Sequence, residues 1–399
     1  VRVRNQFHFA HEDGTPHLPV GTTCYAWVHQ TPELQAQTLE TLKEGYFNKM
    51  RMCVFPKDYR YNKNEPELYP FERDAGLNID LTRFSPAFFA HFEKQVKALR
   101  DMGIEADLII FHPYDRWGHC EMDAETDDRY LRYLVARLAA YRNVWWSMAN
   151  EFDFAKAKTM DDWDRFFRIV MESDPTQHLR GIHNGHTRYG HHKPWVTHVS
   201  VQTGDMTSGK AQREQFQKPV VFDEVCYEGN IPDMWGNISA QELVHRLWVT
   251  AVRGGYAGHG ETYLAEDHEL WWAKGGELRG QSPARIAFLR SVMEESEAPW
   301  EPLTDSWEWD VVSGCEAGPR ERIIYFGRHQ PRAWFRGLPD AAEGLRLELI
   351  DPWAMTIQPL EITEPPSRPF PRLLDGRPGP TRGVELPGRP YLALRIRWD

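Results

Sequence analysis

From Val20 to about Ile286 the chain alternates between two hydrophobic patterns. Short apolar runs occur at VGTTCYAW (20–27), YFNKMRMCVF (46–55), IEADLIIF (104–111) and NVWWSMAN (143–150), then at LRGIHNG (179–185), HVSVQTG (198–204), PVVFDEV (219–225) and GYAGHGETY (255–263). They are rich in β-branched and aromatic residues and show little polar alternation, the pattern of parallel strands covered on both faces. Between them, Pro86–Met102, Asp127–Tyr141, Met160–Ser173 and Ala240–Arg253 follow helical spacing. The first of these puts Phe88, Phe89, Phe92, Val96 and Leu99 on one stripe and stops at Gly103. Eight strand–helix units over roughly 270 residues have the count and size of a (β/α)8 TIM barrel. A dinucleotide-binding, doubly wound sheet would favour a Gly-rich first turn, and the sequence has no G-x-G-x-x-G.

After about Pro299 the pattern changes. DSWEWDVVSG, RIIYFG, AWFRGL, LRLELIDPW, MTIQPLEI and YLALRIRWD read as short alternating strands between Gly/Pro turns. They predict a small C-terminal antiparallel β-sandwich. The expected domains are therefore 1–298, the barrel with an N-terminal hairpin, and 299–399, the sandwich. The opening FHFAHEDGTPHLPVG predicts a hairpin turning on Asp13-Gly14 that covers the bottom of the barrel, and the Pro/Arg-rich stretch 365–390 reads as a long surface loop.

Composition narrows the partners. The chain of 399 residues carries 47 Lys and Arg against 58 Asp and Glu, a net charge of −11, with no basic run. Nucleic acid is thus not an expected partner. No apolar run reaches the roughly 20 residues of a membrane helix, so no membrane association is expected. Five scattered cysteines without a C-x-x-C pair argue against a disulfide framework and structural zinc, and fit a reducing, cytoplasmic setting. No secretory signal opens the chain; the missing initiator Met leaves room for a removed leader. His183/His186 and His191-His192 lack metal-site spacing, and Glu121–Asp128 matches a calcium loop only loosely. No cofactor or metal is expected, and a homo-oligomer is left open.

Barrel sites lie on the loops after the strand C-termini. The polar residues there are Tyr25 and Trp27, Arg51, His112, Tyr114 and Trp117, Asn150 and Glu151, His183 and Asn184, Gln202, Asp223 and Glu224, and His259 and Glu261. Glu151 and Glu224 each end a strongly apolar strand, the fourth and the seventh, and would face each other across the mouth. Two opposed carboxyl groups are what glycoside cleavage needs, one to protonate the departing oxygen and one to attack or stabilise the sugar carbon. The 16 Trp, 15 Tyr and 20 Phe offer rings for the apolar faces of sugars, although core packing accounts for most of them.

These residues also carry a resemblance. Ala149-Asn150-Glu151 and Phe222-Asp223-Glu224 are similar to the strand-four and strand-seven signatures of the clan A glycoside hydrolases, which are retaining (β/α)8 enzymes. Asn48-x-x-Arg51 and His112 resemble that clan's supporting residues, and HPYDRWG and HGETY resemble an apiosidase-like branch of it. The resemblance implies that Glu151 is the acid/base and Glu224 the nucleophile, kept ionised by Arg51 and His112, with Asn150 on the sugar 2-hydroxyl. Trp27 and Trp117 are then expected as ring platforms, together with Trp235 and Trp271. His183 and Gln202 are expected as hydroxyl ligands. The clan's strand-eight Trp is missing, so His259 and Glu261 are expected to select the sugar. The expected function is a retaining, exo-acting hydrolase of a plant-type oligosaccharide or glycoside. The alternatives are a transglycosylase using the same pair and a non-catalytic carbohydrate-binding barrel.

Overall fold

The computed structural model describes residues 1–265, 269–303, 313–339, 343–363 and 382–399. Each of the eight apolar runs forms a strand: β1 (Gly21–Thr23), β2 (Lys49–Cys53), β3 (Glu105–Phe111), β4 (Val144–Ala149), β5 (Leu179–Gly181), β6 (Val199–Gln202), β7 (Val220–Glu224) and β8 (Tyr256–His259). They pair in parallel in the order β5-β4-β3-β2-β1-β8-β7-β6, which is a barrel. Between β5 and β6 there is no ladder. Thr197 spans that seam instead: its N–H donates to the Arg180 carbonyl at 2.9 Å and its Oγ1 accepts from the Arg180 N–H at 2.7 Å.

The helices start where the sequence caps them. Ser85 and Thr159 cap Pro86–Asp101 and Met160–Ser173, the latter with a reciprocal capping box to Asp162. The opening segment forms a three-stranded antiparallel sheet, Arg2–Arg4, His8–Ala10 and Pro16–His17. Its Phe9 joins Trp145, Leu179, Val221 and Tyr256, which lie at the starts of four barrel strands, so the sheet plugs the barrel bottom as the sequence predicts.

The C-terminal region holds a six-stranded antiparallel sheet and a separate pair, Ala333–Trp334 with Val384–Glu385. In the strand Glu321–Tyr325, Ile323 and Tyr325 face the barrel, while Ile324 faces the small pair with Leu347, Val384 and Leu394. Among the described residues that period-two split makes a two-layer β domain, with the pair as its second layer. Tyr325 stacks on Trp248 of the helix Ala240–Val252, with ring centroids 5.4 Å apart, and its hydroxyl meets His245 Nδ1 at 3.0 Å. Trp307, Trp309 and residues 365–381 of the expected loop lie outside the described residues. No helix among the described residues is long and apolar enough to cross a membrane.

Candidate active site

The top of the barrel opens into a cavity of about 430 Å³ lined by Tyr25, Lys57, Tyr114, Asn150, Glu151, Gln202 and Glu224 on its polar side. Tyr59, Tyr61, Tyr227, Trp235 and Trp272 form the aromatic wall. Both carboxylates leave their strands through left-handed backbone. Glu151 itself has φ 48° and ψ 54°, and Cys226, two residues past Glu224, has φ 65°. A non-glycine residue held there costs about 1–3 kcal/mol, which the surrounding structure must offset. At Glu151 it does so with strand-like bonds on either side: Asn150 N–H donates to the Phe111 carbonyl at 3.0 Å and Phe152 N–H to the His183 carbonyl at 3.1 Å.

Each carboxylate has its own tyrosine. Tyr25 Oη donates to Glu224 Oε1, and Tyr114 Oη donates to Glu151 Oε2. Asn150 links the two halves, since its Oδ1 lies 2.9 Å from Tyr25 Oη and its Nδ2 donates to Glu151 Oε2 at 3.2 Å. Gln202 Nε2 approaches Glu151 Oε1 at 3.5 Å. Arg51 stands behind Glu224, with Nη1 3.9 Å from Oε1. His183 Nε2 lies 4.0 Å from the same oxygen, and burial holds that imidazole down to about 4, hence neutral near pH 7.

Beneath Glu224 the barrel interior holds a buried charge layer. Lys49 Nζ donates to Asp107 at 2.5 Å and to Asp223 at 2.8 Å, Ser200 Oγ donates to Asp223 at 2.5 Å, and Arg51 Nε lies 3.5 Å from Asp107. Burial alone would raise the Asp223 carboxyl, but Lys49 and Arg51 hold it far below the ordinary range. Lys49→Met leaves two buried carboxylates facing Arg51 alone. The expected loss is about 3–5 kcal/mol, read from the urea or guanidinium midpoint. A change below 1 kcal/mol would show that the layer does not depend on its lysine.

The structure moves several expected ligands off the cavity. Trp27 is fully buried in the core, where its indole donates to the Gln35 carbonyl at 3.2 Å. Trp117 packs outside the lining, with Nε1 on Glu65 at 3.2 Å. His112 is buried against the Phe55 carbonyl at 3.2 Å. Burial and the Lys57 charge push it down to about 4, so it faces Glu224 neither as a cation nor as a contact.

Strand alternation explains the same outcome at β8. His259 and Glu261 share one face and Gly260 the other. A Cβ at Gly260 would meet Tyr227 at 2.4 Å and Trp272 at 3.2 Å, so the bare backbone is where the cavity's rings pack. His259 bonds Thr22 at 2.9 Å instead, and Glu261 accepts the backbone N–H groups of Arg279 and Gly280. Trp271 likewise turns into the core, donating to Thr22 Oγ1 at 2.8 Å, while its neighbour Trp272 reaches the cavity. Of the expected rings, Trp235 lines it, 4.7 Å from Trp272. Tyr25 and Tyr114 were visible as strand-end residues. Lys57 and the ring of Trp272 carried no positional signal beyond lying in loops that follow β2 and β8.

Glu261 gains a structural role. Burial pushes its carboxyl up to about 7, against the two backbone donors and with the help of Glu228. A raised acid is favoured in its neutral form, so this contribution is complete below about pH 4.5 and is lost as pH rises through 7, on the order of 3 kcal/mol. Denaturant midpoints at pH 5 and pH 8 should therefore fall by less in Glu261→Gln than in the parent; an equal fall would exclude the titration.

The comparisons with known proteins agree with this architecture. Residues 3–308 match the family model described as the apiosidase-like catalytic domain, and residues 309–397 match a domain of unknown function, DUF5605. No curated protein matches the chain. A candidate glycoside hydrolase from Bacteroides vulgatus ATCC 8482 is 41% identical, with a TM-score of 0.90, over 100% of this chain and 82% of its own. A family 5 glycoside hydrolase from the same organism shares the fold at 14% identity, with a TM-score of 0.71, over 100% of this chain and 92% of its own. A family 30 endoxylanase from Clostridium papyrosolvens C71 does so at 11% identity and 0.53, over 96% and 97%. The chain belongs to the apiosidase-like catalytic domain family and is a glycoside hydrolase.

Proposed function

We propose that the enzyme is a retaining, exo-acting glycosidase that works by double displacement, with Glu224 as nucleophile and Glu151 as acid/base. The observation that carries this reading is the pair of carboxylates in one cavity, each held by its own tyrosine and joined through Asn150. Arg51 sets a positive charge behind Glu224, with Nη1 3.9 Å from Oε1. Glu151 has no cation within ion-pair distance among the described residues; Tyr114, Asn150 and Gln202 hydrogen-bond to it at the cavity, where an acid/base must meet the leaving group. A retaining mechanism further expects the two carboxyl groups about 5–5.5 Å apart in the substrate complex. A cavity of this size, closed by Tyr61, Trp235 and Trp272, suits a terminal sugar and the start of its leaving group.

The substrate class is a plant-type oligosaccharide or glycoside, and the family's name makes terminal apiosides the first to try. Trp235 and Trp272 would take the apolar sugar face and Gln202 a hydroxyl. The test is a panel of aryl glycosides followed by proton NMR of the first-formed sugar. Release with retained configuration is expected. Inverted product would require a water between the carboxylates, and no turnover on any aryl or oligosaccharide substrate would favour a non-catalytic binding barrel.

A further inference from the structure

Lys57 is buried, with 2% of its surface exposed, in the loop that follows β2. Its Nζ lies 3.4 Å from the ring centroid of Tyr25, 4.5 Å from that of Tyr114, 4.6 Å from that of Tyr59 and 5.5 Å from that of Trp272. The rings supply cation–π attraction but accept no conventional hydrogen bond. Asn62 Nδ2 donates to the Lys57 carbonyl, yet Nζ itself has no hydrogen-bond or ion-pair partner among the described residues.

Two other buried lysines show what a structural ammonium looks like in this fold. Lys49 is bonded to Asp107 and Asp223, and Lys158 to Asp127 at 2.5 Å and to the Met122 carbonyl at 2.6 Å. A buried ammonium without such partners is costly, and an apolar side chain of that length would fill the space at less cost. Burial accordingly lowers the Lys57 ammonium from the ordinary lysine range, with Cys53, Glu151 and Glu224 partly opposing the shift.

Its position is informative. Tyr25 holds Glu224, Tyr114 holds Glu151, and both rings lie against this one ammonium at the cavity wall.

We propose that Lys57 is a substrate-binding residue whose ammonium donates to hydroxyl groups of a neutral sugar ring seated between Glu151 and Glu224. This rests on the glycosidase reading above and extends it to the glycone. The charge balance selects hydroxyls over a sugar carboxylate. Arg60, the other cation of the lining, is paired with Asp233 at 3.3 Å, which leaves Lys57 facing two carboxylates. A uronic acid would set another carboxylate beside Glu151 and Glu224, of which only Glu224 has Arg51 behind it, whereas hydroxyls accept the Lys57 N–H bonds without adding charge.

The test uses the best substrate from the glycoside panel and its monodeoxy analogues. Lys57→Met should lower kcat/KM by roughly 10- to 150-fold on the parent sugar, and by much less on the analogue lacking the partner hydroxyl. Its melting temperature should be no lower than that of the parent enzyme, because a buried unpaired charge has been removed. Lys57→Gln, which keeps a donor, should recover part of the lost rate. Equal losses across the deoxy series, or a lost rate accompanied by a lower melting temperature, would make Lys57 a packing residue and overturn the proposal. A parent enzyme that prefers uronides would overturn the choice of neutral sugars. If Glu224→Gln kept full activity on the same substrate, the double-displacement reading would fail instead, and the deoxy comparison would still report on Lys57.

Discussion

Glu224→Gln is expected to lower kcat on every substrate by about 10⁴-fold or more, irrespective of the leaving group. A neutral amide cannot form the glycosyl ester, and the other carboxylates of the site among the described residues are engaged elsewhere: Asp233 of the lining is held by Arg60 and Tyr61. Asp223 lies one residue away, but it is committed to Lys49 and Ser200 beneath the cavity floor. Glu151 sits with Tyr114 and Asn150 on the other half of the site. Tyr25 can still donate to the amide oxygen, so the variant should fold with an unchanged melting temperature. Steady-state rates on an activated and an unactivated glycoside check this. A loss confined to the unactivated substrate would mean that Glu224 is the acid and that the roles are reversed.

Glu151→Ala should behave differently, because protonation matters in proportion to the basicity of the leaving group. Substrates with poor leaving groups should lose about 10²–10⁴-fold, the usual contribution of a positioned acid, whereas a dinitrophenyl glycoside should release its aglycone at near the parental rate. Hydrolysis of the intermediate then becomes limiting, because no base activates water. Azide, which needs no deprotonation, should enter the vacated space beside Gln202, restore turnover and appear in the product as a glycosyl azide. Removing Glu151 also leaves alanine at φ 48° without the Tyr114 bond, so a small loss of stability is expected. Equal loss on both substrates without azide rescue would remove Glu151 from the acid/base role.

Much of this architecture is legible in the chain. The strands and long helices follow from period and capping, since buried parallel strands and amphipathic helices leave strong one-dimensional signals. Met160–Ser173 begins at the Thr159 cap and Pro86–Asp101 at Ser85, both of which can be read from side-chain chemistry alone. Glu151 and Glu224 were legible for a related reason, as carboxylates ending apolar strands.

The cavity lining was not legible, because it depends on which way single side chains point. Trp271 and Trp272 are adjacent and both nearly buried, yet successive helical positions differ by about 100° and only the second reaches the cavity. At β8 a one-residue difference of face separates Gly260, which makes room for Tyr227 and Trp272, from His259 and Glu261. Trp27 follows β1 as expected of a platform, but its short 3-10 helix, Trp27–His29, turns the indole towards Gln35 and leaves Tyr25 in the site. Lys57 lies past the end of β2 in a loop with no period, and only its three-dimensional surroundings mark it.

The most direct test of the double-displacement account is to trap the intermediate. A 2-deoxy-2-fluoro glycoside with an activated leaving group, built on the preferred sugar, slows both steps but hydrolysis of the ester more than its formation. Mass spectrometry of the digested enzyme should then find one equivalent of fluorosugar on the peptide containing Glu224, with none in Glu224→Gln. A label on Glu151 or on any other residue, or turnover with inverted configuration and no adduct, would contradict the assignment of Glu224 as the nucleophile.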